Sequence, residues 1–558
     1  MQRKTVAAHT LGCKVNQHET EAILELFRQA GYEVVDFNLP ADVYLINTCT
    51  VTHLGDRKSR QAIRQARRRN PDALVVAAGC YAQRAPEEIA RIGGADLIVG
   101  NPGKNRIVAM VEEAMAEEAR RELAEAPLYP GGEECPEAEK QRRKSPGSEK
   151  RIPRLAVEDI MNARIFEELP LPLQQGRTRA LVKIEDGCNQ FCSYCIVPFV
   201  RGPVRSRQPE KILEEIALLV EHGYQEVVLT GIHTSAYGQD WERQRAREAG
   251  AGDSRRQEEA QPEFQKEFKE GTAGLGYLLE RILKEIPQLK RLRLSSLEPV
   301  EVPPQVPELM RRYPAFCRHL HLPLQSGSDE ILRLMRRPYS TREYAAIVEN
   351  LRQQVPGLAI TTDVMVGFPG ETEERFEESF SFIRRMAFSN LHVFKYSSRP
   401  GTAAEKLPGQ VPFAVKEERS RRLLRLAEEL RRSFAQRFLG KELEVLLEEP
   451  LAVKRKIERE YGSRGFGAGE LSGEYQHGIS GFFGERFDEG ALSVNAGQLA
   501  GEFWEGYSDN YLRIAVFVPC GREARGKLVR VRLATAGKDF SIGEIIGKWQ
   551  EFKEAEAN

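Results

Sequence analysis

The chain has no net charge: 82 lysines and arginines meet 82 aspartates and glutamates, so the formal charge at pH 7 is zero with histidine neutral. No global basic field announces a nucleic-acid partner, and one would have to be held by local basic patches. Long apolar runs are also missing. None approaches the roughly 20 residues needed to cross a bilayer, and the stretch Met1 to Cys13 lacks the apolar centre of a secretory leader. Both absences read as a cytoplasmic protein without a membrane partner. Cysteine is scarce and odd in number, nine in 558 residues. In a long cytosolic chain this argues against a disulfide framework and for metal ligation or redox chemistry. No internal repeat is visible.

What is present divides into segments. At roughly 150 residues per domain, the length suggests three or four domains. Residues 1–115 alternate strands and helices: Thr5–Thr10, Val43–Asn47, Leu74–Gly79 and Asp96–Val99 read as strands, Asn16–Ala30 as a helix. That helix sets Ile23, Leu26, Phe27 and Ala30 on one face, with Asn16 and Glu19 as its cap and Gly31 as its stop. A small parallel α/β sheet follows. Residues 116–176 are dense in charge and read as a helical tail, a partly disordered insertion and a linker. Residues 177–415 return to alternation, with strands at Ala180–Glu185, Glu226–Thr230, Leu292–Ser296, His319–Pro323, Ala359–Val364 and Leu391–Tyr396. Six such units predict an open, partial (β/α)6 barrel, with a polar insertion at 239–273. Lys416–Phe438 reads as a connecting helix within 416–440. Residues 441–548 hold strands at Glu442–Leu447, Leu512–Val518 and Leu528–Thr535, read as a small β-barrel with a Gly-rich insertion at about 455–500.

The strongest signal is Cys188, Cys192 and Cys195, a CxxxCxxC spacing after a predicted strand and Gly187. Thiolates are the usual iron–sulfur ligands, and a four-iron cluster usually takes four. Three nearby cysteines leave one iron open to chelate a cofactor. A structural zinc site would want a paired set of four ligands, and its second half is absent nearby. Cys13, Cys49 and Cys80 each follow a predicted strand of the N-terminal sheet. In a parallel sheet, ligands collect at the carboxyl ends of strands, so these three can converge as a second open cluster.

The CxxxCxxC loop after the first barrel strand resembles the radical S-adenosylmethionine superfamily, and the two cysteine triads in this order resemble its methylthiotransferases. Thr10-Leu11-Gly12-Cys13-Lys14-Val15-Asn16, Asn47-Thr48-Cys49-Thr50-Val51-Thr52, Gly55-Asp56-Arg57-Lys58-Ser59-Arg60 and Arg201-Gly202-Pro203-Val204-Arg205-Ser206-Arg207 resemble the branch acting on threonylcarbamoyladenosine in tRNA. The resemblance implies two [4Fe-4S] clusters and two S-adenosylmethionine molecules per turnover. It implies that one methylates a sulfur held at Cys13, Cys49 and Cys80, while the other is cleaved at Cys188, Cys192 and Cys195. The product would carry a methylthio group at C2 of the adenosine just 3′ of the anticodon. A flavodoxin- or ferredoxin-type electron donor and a monomeric enzyme complete the expectation. Other branches modify isopentenyladenosine in tRNA or a ribosomal protein, and a cluster protein serving only as electron carrier or scaffold is the non-enzymatic reading.

Further residues are weighed against ordinary structural roles. Gly231, Ser296 and Gln325 follow successive barrel strands and are assigned to the cofactor. Ser295, Asp363 and the turn Gly367-Phe368-Pro369-Gly370-Glu371 occupy similar positions. Arg201, Arg205 and Arg207 are assigned to substrate anions. The basic run Arg57, Lys58, Arg60, Arg64, Arg67, Arg68 and Arg69 reads as a solvated helix face able to bind phosphate. The C-terminal barrel resembles a TRAM domain, with Arg530, Arg532, Lys538 and Phe540 offered to RNA. Cys135, Cys317 and Cys520 receive no role, and His319 and His321 a structural one.

Overall fold

The computed structural model of the chain describes residues 3–124, 153–171, 178–250, 274–451, 501–519 and 522–547. Cys135, Cys520 and most of the three expected insertions lie outside the described residues.

The N-terminal sheet has six parallel strands: β1 (Thr5–Thr10), β2 (Glu33–Val35), β3 (Val43–Thr48), β4 (Leu74–Gly79), β5 (Leu97–Val99) and β6 (Arg154–Ala156), in the order β2-β1-β3-β4-β5-β6. Strands β3 and β4 are buried from end to end, as central parallel strands covered on both faces must be. The helix after β1 runs Lys14–Gln29, with extended Cys13 at its N-cap position. Asn16 is therefore not the cap. It sits one turn in, where its amide donates to the carbonyls of Leu11 and Thr48 and ties the helix start to the ends of β1 and β3. Strands β2 and β6 are additions to the sequence reading, and β6 falls in the segment read as linker. The helix Ile107–Ala124 supplies the expected helical tail.

The middle of the chain contributes β7 (Arg179–Lys183), a two-stranded ribbon of β8 (Glu185–Asp186) and β9 (Arg205–Ser206), then β10 (Glu226–Thr230), β11 (Arg291–Leu294), β12 (His319–His321), β13 (Ala359–Val366) and β14 (Asn390–Lys395). The parallel sheets β11-β10-β7 and β12-β13-β14 are joined by bridges from Leu292 to Phe316 and from Ser296 to His321, giving the six-stranded open barrel expected. Alternate residues Ala180, Val182, Val227, Leu229, Leu292, Leu294, Leu320 and Ile360 pack into the core shared with the surrounding helices. Full burial of the larger ones stabilises by about 1.5–3 kcal/mol each. The opposite face is polar and carries Arg179, Lys183, Glu226, Arg293, His319 and Thr361. The helix Phe413–Gln436 then leads to β15 (Glu442–Pro450), β16 (Gly501–Ser508), β17 (Arg513–Pro519), β18 (Leu528–Thr535) and β19 (Ser541–Ile545), which close into a barrel.

This C-terminal barrel sits against the amino ends of the central strands. Arg291 donates to the carbonyls of Tyr507 and Glu444, Arg293 to those of Ser508 and Asp509, and Tyr511 stacks on His319 at 4.4 Å between ring centroids. The floor of the central barrel is thus closed, and its carboxyl-end rim faces the N-terminal sheet. Phe540 is 3% exposed and packs with Leu451, Phe503 and Ala515. It offers no stacking face, which corrects that expectation. Arg530, Arg532 and Lys538 remain exposed.

Candidate functional site

Cys13, Cys49 and Cys80 follow β1, β3 and β4, three neighbouring strands of one parallel sheet. Their thiols converge closely enough to oppose one another's ionisation. Burial raises the pKa of Cys13 first, with Cys80 adding to it. Burial and the charges of Cys80 and Cys13 push Cys49 up to about 11. Cys13 is exposed, Cys49 half-buried and Cys80 buried. Gly12 and Gly55 pass beside the Cys49 sulfur, where a Cβ would lie 3.1 and 3.5 Å from it.

The second triad forms on the loop that follows β7 and β8. Gly187, at φ +91°, starts the loop, and a Cβ there would lie 2.0 Å from the Pro203 carbonyl oxygen. The Cys188 amide donates to the Gly202 carbonyl at 2.9 Å and the Cys195 amide to that of Cys192 at 2.9 Å. Burial, then the neighbouring cysteines, hold the Cys188 thiol well above its ordinary value, and burial with Cys192 takes Cys195 up to about 12. His233 Nδ1 lies 3.8 Å from the Cys188 sulfur, while His233 Nε2 lies 2.8 Å from Glu301. Arg337 donates to the Cys192 sulfur at 3.3 Å and grips Glu298 through two contacts of 2.7 Å.

Desolvation therefore opposes ionisation of Cys13, Cys49, Cys188 and Cys195 unless a cation compensates it. Iron does so by binding the thiolate form. Among the described residues no three histidine, cysteine or acidic side chains surround a single metal ion. A four-iron cluster does not ask for that, because each thiolate binds its own iron. Three ligands in each set, with cationic arginines alongside, fit such a cluster.

Gly231, Ser296 and Gln325 lie at the rim after β10, β11 and β12, the rim that also carries Cys188. A Cβ on Gly231 would lie 2.7 Å from the Glu185 carboxylate. Ser296 is exposed, and Gln325 takes a left-handed φ of +68° while bonding through its backbone to Asp363 and Met365. Glu371 is instead buried against Arg419 and serves packing. Cys317 is fully buried, and His319 and His321 both bond to Thr361.

The assignment of Arg201, Arg205 and Arg207 to substrate anions is corrected by their surroundings. All three are 5% exposed or less. Arg201 bonds to Glu19, Asp186 and Asn16, Arg205 to carbonyls and Asp186, and Arg207 to Glu168 and Glu215. Their N–H groups are already engaged by carboxylates and carbonyls of the protein. In the basic helix His53–Arg69, Arg60 bonds to Tyr81 and Glu88, Arg67 to Asp96 and Arg69 to Asn38. Arg57, Lys58, Arg64 and Arg68 stay exposed. The sequence reading missed Asn16, Glu19, Lys104, Lys183, Asp186, His233 and Arg337. Charged residues at alternate strand positions, Arg179 with Lys183 and Arg291 with Arg293, were the one available signal.

Residues 182–383 match the Radical SAM superfamily, and residues 5–100 match Uncharacterized protein family UPF0004. The chain is 37% identical over 542 residues to the threonylcarbamoyladenosine tRNA methylthiotransferase MtaB of Bacillus subtilis (strain 168), covering 97% of this chain and 96% of that protein. It is 37% identical over 468 residues to the protein of the same name from Aquifex aeolicus (strain VF5), covering 82% and 98%. A tRNA-2-methylthio-N(6)-dimethylallyladenosine synthase from Moorella thermoacetica is 34% identical over 454 residues, covering 80% and 88%.

Proposed function

Because the chain belongs to the radical S-adenosylmethionine methylthiotransferase family, we propose that it replaces the hydrogen at C2 of N6-threonylcarbamoyladenosine in tRNA, just 3′ of the anticodon, with a methylthio group. The family brings a [4Fe-4S] cluster and S-adenosylmethionine. We assign that cluster to Cys188, Cys192 and Cys195, and a second one to Cys13, Cys49 and Cys80. When bound, these groups supply a carbon-centred radical and the sulfur to be transferred. One observation supports the reading above others: two cysteine triads, one at the carboxyl ends of β1, β3 and β4 and one on the loop after β8, each with three thiols and no fourth among the described residues.

The remaining residues bind and orient. Gly231, Ser296 and Gln325 at the rim are assigned to S-adenosylmethionine, with Gly231 keeping the backbone close to Glu185. Burial raises the pKa of Glu185 well above its ordinary value, and its carboxyl accepts a hydrogen bond from the His233 amide. Exposed Arg57, Lys58, Arg64 and Arg68 lie on the helix that starts beside Cys49 and take RNA phosphates. A flavodoxin- or ferredoxin-type protein supplies electrons, and the enzyme acts as a cytoplasmic monomer. Among the described residues no helix is long and apolar enough to cross a membrane.

Deleting the gene in its host and measuring tRNA nucleosides by mass spectrometry tests this. Loss of 2-methylthio-threonylcarbamoyladenosine with accumulation of its unthiolated precursor is expected. A second reading, methylthiolation of dimethylallyladenosine, is favoured by the 34% identity to the Moorella thermoacetica protein. It predicts the corresponding loss on that nucleoside instead.

A further inference from the structure

Buried charge concentrates where the N-terminal sheet meets the central barrel. Glu19, Lys104 and Arg201 are each 1% exposed, and Lys183, Arg205 and Asp186 are 4–6% exposed. Lys104, Lys183 and Arg201 all reach Glu19, while Lys183, Arg201 and Arg205 all reach Asp186. Four cations thus share two carboxylates. Glu167 faces Lys104 and Lys183 from the neighbouring loop, and burial raises its pKa. An unmatched cation in a desolvated interior is costly, so such a hub is built to face another anion.

The hub opens onto a sulfur. Arg201 donates its Nε–H to the Cys80 sulfur at 3.3 Å, and Asn101 approaches the same sulfur at 3.7 Å. The bond crosses the domain boundary: Cys80 opens the short helix after β4, and Arg201 ends the helix Val197–Arg201 that follows the other triad. The second triad has its own counterpart, the 3.3 Å bond from Arg337 to the Cys192 sulfur. In each case the remaining guanidinium nitrogens are held as well, by Glu19, Asp186 and Asn16 for Arg201 and by Glu298 and the Tyr339 hydroxyl for Arg337. Each arginine is therefore fixed in place with one N–H aimed at a ligating sulfur.

We propose that Arg201 and Arg337 are dedicated potential-setting residues, Arg201 for a cluster at Cys13, Cys49 and Cys80 and Arg337 for a cluster at Cys188, Cys192 and Cys195. The inference rests on both triads holding clusters. A hydrogen bond and positive charge at a ligating sulfur favour the form carrying one more electron, so each arginine raises the one-electron reduction potential of its own cluster. Both are positioning residues rather than catalytic ones. The central barrel, through Arg201, thereby sets the potential of a cluster bound mainly by the other domain.

The test uses the full chain reconstituted anaerobically with iron and sulfide, with iron counted and each cluster titrated with dithionite under electron paramagnetic resonance. Two backgrounds isolate the clusters: Cys188→Ala/Cys192→Ala/Cys195→Ala leaves the N-terminal triad, and Cys13→Ala/Cys49→Ala/Cys80→Ala leaves the other. Arg201→Lys and Arg337→Lys keep the charge and remove the directed donor. In the first background Arg201→Lys is expected to shift the midpoint to a more negative potential, and Arg337→Lys to leave it in place. In the second background the pattern reverses. An unchanged midpoint with full iron content overturns the proposal, as does an equal shift from both arginines in one background. An Arg201→Lys protein that binds no N-terminal cluster makes Arg201 a structural brace and overturns its assignment, leaving Arg337 to be judged by its own titration. If the first background binds no iron even with both arginines intact, the two-cluster reading itself fails, a distinguishable result.

Discussion

Gly187 shows how narrowly the site is specified at the scale of one residue. Its left-handed φ and the 2.0 Å approach of a would-be Cβ to the Pro203 backbone leave no room for a side chain. Gly187→Ala is expected to cost at least about 2–3 kcal/mol from strain and overpacking together. The measurement is the midpoint of thermal unfolding together with the iron bound after reconstitution, and both should fall. Glu226 gives a pH signature. Burial opposes its ionisation, but the Arg293 guanidinium and its hydrogen bond, helped by Arg179 and Arg291, outweigh burial and bring its pKa to about 2. A carboxylate depressed in the fold stabilises above its unfolded value of 4.5 and loses that contribution as pH falls towards 2. The difference is on the order of 3 kcal/mol. Thermal unfolding should therefore weaken more steeply between pH 5 and about pH 3 in the native protein than in Glu226→Gln.

Among the elements, the helix His53–Arg69 matters most to the N-terminal triad because it begins four residues after Cys49. Thr52 caps it, accepting the Gly55 amide at 3.1 Å. Thr52→Ala should cost about 1 kcal/mol, seen as a lower unfolding midpoint, and should weaken retention of iron at that triad. Long strands with clear apolar patterning were legible: Thr5–Thr10, Leu74–Gly79, Glu226–Thr230 and Leu528–Thr535 lie where the alternation put them. Strands β2 and β6 were not: both are three-residue edge strands with largely uncovered side chains, unlike buried β5, so no apolar run marks them and their pairing partners supply the reason they form. The ribbon of β8 and β9 is shorter still. Strands β16 and β19, at Gly501–Ser508 and Ser541–Ile545, are glycine-bearing segments that take their shape from closing the barrel.

At the scale of the whole molecule, the sequence marked which cysteines belong together, but not what stands between them. Cys13, Cys49 and Cys80 were legible because strand ends in a parallel sheet gather. The partnership of Arg201 with Glu19 spans 182 positions, and no local pattern announces it. That is also why Arg201, Arg205 and Arg207 read as free anion binders when Arg201 is an interdomain tie and the other two are bound to Asp186, Glu168 and Glu215. The exposed cations carry the RNA expectation instead. Arg57→Glu with Lys58→Glu should weaken tRNA binding at least tenfold and reduce its salt dependence, measured by filter binding across a salt series, because each lost phosphate contact removes roughly one released counterion. The account as a whole turns on methylthio transfer to one modified adenosine. The most direct measurement incubates the reconstituted protein with S-adenosylmethionine, reductant and two tRNAs, one carrying threonylcarbamoyladenosine and one dimethylallyladenosine, and reads the nucleosides by mass spectrometry. A methylthio group on the threonylcarbamoyl nucleoside, lost when either Cys80 or Cys195 is replaced by alanine, is the result the account predicts. Methylthiolation only of the other tRNA, or undiminished activity without Cys80, would contradict it.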